Sequence, residues 1–111
     1  MLFKKLLICL AFLVCLPAFA QECVQPAAPG IPSGRSATEK EMHDTMNAVK
    51  AFIAQGEVFR QCVDKQLKII GDNTGHPLHD VLVETYQDSL DTEDLVAETF
   101  NTQLRIFRSN N

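Results

Sequence analysis

His76, Pro77, Leu78, His79 and Asp80 form the one arrangement in this 111-residue chain with the character of a metal site. Two imidazoles three residues apart near a helix start can share a face, and Asp80 would add a third ligand. Pro77 disturbs the geometry at His76, however, and His43, the third histidine, stands far away along the chain. Solvated loop residues account better for the cluster, so no metal and no cofactor is expected. The acids at Asp88, Asp91, Glu93 and Asp94 suggest paired carboxylates or a calcium loop. They lack the ligand spacing and central glycine of an EF-hand loop, and a solvated acidic face is the simpler reading. Ser33, Ser36, Ser89 and Ser109 belong to no motif that would supply a base and a group to orient it. No catalytic residue is assigned, and an enzyme is not expected.

The cysteines remain, and their chemistry depends on the N-terminus. Lys4 and Lys5 supply a basic start, Leu6 to Leu16 is an uncharged run, and Pro17-Ala-Phe-Ala20 ends it with small residues. This is the three-part pattern of a cleaved signal peptide over residues 1–20. Eleven apolar residues reach about 16 Å as a helix, roughly half a bilayer core. Cleavage is expected between Ala20 and Gln21, with a site after Ala18 as the rival. Val14 and Glu22 precede Cys15 and Cys23, where a lipoprotein signal would need a small residue, so no membrane anchor is expected after cleavage. Cys9 and Cys15 leave with the signal. Cys23 and Cys62 are then the only intramolecular pair, and an oxidising compartment makes their disulfide the default. Two free thiols or an intermolecular bridge are the alternatives.

Removing the signal also changes the composition. Seventeen of its 20 residues are apolar, so the hydrophobic share falls from 46% to about 37%. A single lean domain of this size commonly needs a covalent staple. The net charge moves from −4 to −6 once Lys4 and Lys5 are gone. That balance argues against nucleic acid and anionic membranes as partners.

Three segments must position these residues. Residues 21–36 form an extended arm, since Pro26, Pro29, Pro32, Gly30 and Gly34 exclude a helix. Residues 37–111 then read as an antiparallel two-helix hairpin, an all-α fold with helices over about 37–70 and 78–108. Ser36 with Glu39, or Thr38 with Glu41, offers a capping box. Met42, Met46, Val49, Ile53, Gly56, Val63, Leu67 and Ile70 follow coiled-coil-like helical spacing, interrupted by Arg60. Gly71 suits a C-terminal cap before the turn residues 72–77. Leu78, Leu82, Tyr86, Leu90, Ala97, Phe100, Leu104 and Phe107 face back from the second helix. Residues 88–94 weaken it, and either a bend or a restart capped by Asp91 or Thr92 is expected there. Folding about the turn places Asp88 opposite Arg60, as an ion pair at the seam.

Cys23-x-x-Pro-x-x-Pro-x-x-Pro32, Ser33-Gly34, Val49-Lys50-x-Phe52 and Phe59-x-x-Cys62 resemble a pattern in a group of small uncharacterised secreted proteobacterial proteins. Ala97-Glu98-x-Phe100-Asn101-x-x-Leu104-Arg105-x-Phe107 is similar to the end of that pattern. The resemblance implies export, helices and a bridge between the two cysteines, but no activity.

The prolines also match a polyproline II ligand, although an internal role fits better. A polyproline II helix repeats every three residues, which puts Cys23, Pro26, Pro29 and Pro32 on one edge. The arm should therefore lie antiparallel along the first helix, on the flank of Phe59, Phe52 and Ala48, clamped at Cys62. The function expected is that of a non-catalytic, periplasmic or secreted interaction or structural protein, with an unknown protein partner or self-association. A periplasmic small-ligand or metal-binding protein is the alternative.

Overall fold

The computed structural model describes residues 23–71 and 75–111; residues 1–22, on which the expected signal peptide and Ala20–Gln21 cleavage site fall, and residues 72–74 of the turn lie outside them. Two helices, α1 (Glu39–Ile70) and α2 (His79–Ser109), pack against each other as an all-α hairpin. At 1.5 Å per residue the 32 residues of α1 run about 48 Å.

Local chemistry starts α1 sharply. Thr38 caps it: its hydroxyl accepts from Glu41 N–H at 3.1 Å, and the Glu41 carboxylate accepts from Thr38 N–H at 2.7 Å. Of the two capping boxes in the sequence this one forms, because Ser33 to Ser36 are used in reversing the chain. Ser36 and Ala37 both donate backbone N–H groups to the Ser33 carbonyl. Gly71 ends α1 at φ 70°, a conformation that favours glycine, with its N–H on the Leu67 carbonyl.

The seam follows coiled-coil spacing. Met42, Thr45, Val49, Phe52, Gly56, Phe59 and Val63 are buried, at alternating intervals of three and four. Met46, Ile53, Leu67 and Ile70, expected on this face, are only half-buried. The burial maximum is rotated toward Phe52 and Phe59 because α1 is covered from two directions. One cover is α2, through Val96 and Phe100, and the other is the arm, whose Ile31 packs on the same cluster.

The arm shows the expected period. Cys23, Pro26, Pro29 and Pro32 are partly buried, and the two residues between each pair are exposed up to Gly30. The disulfide joins Cys23 to Cys62 with the α-carbons 5.6 Å apart. At the other end Gly34 N–H donates to Gln103 Oε1 at 2.8 Å, on α2. The arm thus drifts off α1 into the groove between the helices. That drift leaves Ala48 exposed, contrary to expectation.

Candidate functional site

The seam's polar layer departs from expectation. Arg60 pairs with Glu93, not Asp88, at 2.5 Å, and donates a second bond to Ser89 Oγ at 3.2 Å. Helical side chains lean toward their own N-terminus. In an antiparallel pair, Arg60 and Glu93 therefore reach toward each other, whereas Asp88 lies a residue round the helix and is exposed. Gly56 makes room for the layer, since a Cβ there would come within 3.2 Å of both charged groups. The same layer explains why α2 runs unbroken through 88–94: Ser89 and Glu93 occupy seam positions and have a partner. The side chains of Arg60 and Glu93 keep only 11% and 19% exposure. A double-mutant cycle with Arg60→Met and Glu93→Leu should therefore show coupling of about 1 kcal/mol or more in thermal unfolding. The cycle of Arg60→Met with Asp88→Leu should be additive. Coupling to Asp88 and none to Glu93 would overturn the assignment.

The histidines are not brought together. His76 Nδ1 accepts from Leu78 N–H at 3.1 Å, and its ring lines a hollow with Ile69, Ile70 and Leu82. His79 lies 3.1 Å from the carboxylate of Asp80 and faces a different hollow, with Leu67, Lys68 and Val83. The two rings look to opposite sides of the hairpin. Among the described residues no group of three or more His, Cys, Asp and Glu is placed to hold a metal. The acids of α2 also diverge: Asp91 accepts from Gln87, Glu93 turns into the seam, and Asp88 and Asp94 are exposed. Among the serines, Ser33 Oγ caps Arg35 N–H, Ser89 Oγ accepts from Arg60, and Ser109 Oγ donates to the Ile106 carbonyl. Ser36, whose backbone turns toward Ser33, is exposed.

What the fold does concentrate is apolar surface. Beside the disulfide an open groove of about 600 Å³ is walled by Val24 and Pro26 of the arm and by Ala54, Val58 and Phe59 of α1. Val24 is 79% exposed and Val58 66%. The arm stops at Cys62, and past Val63 no described residue is fully buried until Ser89. In that distal half Ile69, Leu78, Val81 and Val83 are exposed. Periodicity missed Ile69, Val81 and Val83 because they stand off the seam, and it placed on the seam Leu78, which is 53% exposed. The signal available was their apolar type at positions where a two-helix pair needs none.

The fold and its staple define a class, a disulfide-clamped helical hairpin with a proline arm in its groove. No family model matches the chain, nor does any curated protein or solved structure. No helix among the described residues is long and apolar enough to cross a membrane.

Proposed function

We propose that this chain is a non-catalytic exported protein, periplasmic or secreted, that works as an interaction module through the distal half of its hairpin. The observation that carries this reading is the presence of Ile69, Leu78 and Val81, each more than half exposed, in the distal half of the hairpin beyond the reach of the arm. Scattered single apolar residues need no explanation, but Ile69 and Leu78 line one hollow with Ile70 and Leu82 and so stand together. Export is supported by the three-part N-terminus, with cleavage between Ala20 and Gln21, and by a disulfide suited to an oxidising compartment.

A second reading, a binder of small apolar ligands, has one observation in its favour. The groove beside the disulfide falls within the volume range of ligand sites. It is open along one side and offers few polar groups to orient a ligand. Site-specific photo-crosslinking in the native host separates the two readings. A photoreactive residue at Ile69 should give macromolecular adducts, and one at Gln87, on the other side of α2, should not. The chain recovered should begin at Gln21 by intact mass. A small apolar molecule co-purifying with the chain, with no adduct from Ile69, would favour the second reading.

A further inference from the structure

The arm is held in two different ways along its length. From Ile31 to Ala37 it is built into the fold. Ile31 and Ala37 pack against the core cluster, Gly34 is buried with its N–H on Gln103, and the Ser33 carbonyl takes two backbone N–H groups. From Val24 to Gly30 no hydrogen bond joins it to either helix among the described residues. Only Pro26 and Pro29 are partly buried there, and the covalent hold is the bridge at Cys23. That bridge is not sealed. Cys23 and Cys62 each keep part of their surface exposed, and both line the open groove with Val24, Ala54 and Val58. A thiolate can therefore approach the sulfurs from outside, the condition that separates labile disulfides from shielded ones. Around Cys62 on α1 stand Val58, Phe59, Gln61, Val63, Lys65 and Gln66. Lys65 is the one charged residue of that ring; it is exposed, and among the described residues it enters no ion pair.

We propose that the Cys23–Cys62 bridge is a redox latch and residues 23–30 its strap. A dithiol reductant releases the strap while the hairpin stays folded, and a disulfide oxidant closes it again. A thiolate of the reductant attacks Cys23 Sγ, the S–S bond breaks, and the Cys62 sulfur leaves as a thiolate that takes a proton from solvent. The second thiol of the reductant then displaces Cys23 from the mixed disulfide. The reductant ends as its own disulfide, and the chain has gained two electrons and two protons as two thiols. Charge sets the direction of attack. Negative charge leaving on Cys62 meets the ammonium of Lys65 one turn on, whereas on Cys23 it would follow Glu22 in the chain. Release removes Val24, Pro26 and Pro29 from the flank of Gln55, Phe59 and Cys62, so Phe59, buried in the closed form, is bared. Ile31 and Gly34 stay seated and keep the strap beside its groove for closure. The latch lies on the flank of the arm and needs no partner at the distal half.

Reduction of the oxidised chain by dithiothreitol without denaturant tests this, with thiols trapped by iodoacetamide and counted by intact mass. The rate should rise in proportion to reductant over about 1–50 mM, because direct attack needs no prior opening of the fold. It should lie within about 10-fold of the rate for the same chain unfolded in guanidinium chloride. The helical circular dichroism should persist when both thiols have formed. Thermolysin should then clip the reduced chain between residues 24 and 31 and spare both helices, while the oxidised chain resists. Lys65→Glu should slow reduction about 3-fold or more, and Lys68→Glu, whose lysine already pairs with Asp64, less than about 2-fold. Both lysines are exposed, so the variants should fold alike. A rate that levels off with reductant overturns the latch, since the fold would then have to open first. Helical signal lost in step with the appearance of thiols overturns it too. Equal rates for the two lysine variants overturn the assignment of Cys62 as the leaving sulfur.

Discussion

Replacing Gly34 with alanine should lower the melting temperature by about 15 °C, a loss near 3 kcal/mol for a domain of this size. Gly34 is buried, and it is where the arm touches the backbone of α2. A Cβ there would overlap the Gln103 carbonyl oxygen and come within 2.8 Å of the Phe107 nitrogen. Both obstacles are helix backbone, so no side chain can swing aside. The arm must lift instead, and lifting breaks the bond from Gly34 N–H to Gln103 Oε1. It also draws Ile31 away from the cluster of Met42, Val49, Phe52, Val96 and Phe100. Gly34 does not adopt a positive φ, so the effect is one of contact and not of backbone strain. Gly30→Ala is the control. Nothing lies within 4 Å of a Cβ at Gly30, and that substitution should be neutral or slightly stabilising through the unfolded chain. Equal melting temperatures for the two variants would show that the arm does not seat on α2.

The helices were legible in the sequence because their cause is local. Capping at Thr38, the stop at Gly71 and the three-four spacing are each fixed by residues a few positions apart. The arm's period of three was legible for the same reason. Pairing between segments was harder to read. Counting back from the turn placed Asp88 opposite Arg60 and was wrong by one turn of helix and one position round it. Counting fixes axial height, but the lean of side chains and their angle round the helix choose the partner. The rotation of the core toward Phe52 and Phe59 was likewise hidden, since a periodic stripe records one covering element and α1 has two. Gly34 was read as a helix breaker, because a glycine's need for space is visible only when the opposing backbone is in place. The distal face was missed for a related reason. Ile69 and Val81 look unremarkable singly, and only the fold shows both more than half exposed in the half of the hairpin that the arm does not reach.

Removing the disulfide should have an effect of similar or larger size. The bridge spans a sequence separation of 39 residues, and closing such a loop contributes about 4 kcal/mol by the chain-entropy estimate. Cys23→Ser with Cys62→Ser should then melt about 20 °C below the oxidised protein, and chemical reduction should reproduce the change. The structure says where the loss appears first. Between Cys23 and Ile31 only Pro26 and Pro29 of the arm are partly buried, and the bridge is its covalent hold there. Without it that stretch leaves, and Phe59, only 4% exposed in the closed form, loses its cover. Hydrogen exchange should quicken in α1 around residues 55–63, while amides near Val49 stay protected under Ile31 and α2. The two variants should also be coupled. Once Gly34→Ala has lifted one end of the arm, the bridge holds a segment that stabilises less. The combined loss should fall short of the sum by about 1–2 kcal/mol. Strict additivity would mean that the clamp at Cys62 and the seat at Gly34 act on separate structures. The arm would then not be one continuous cover of the groove.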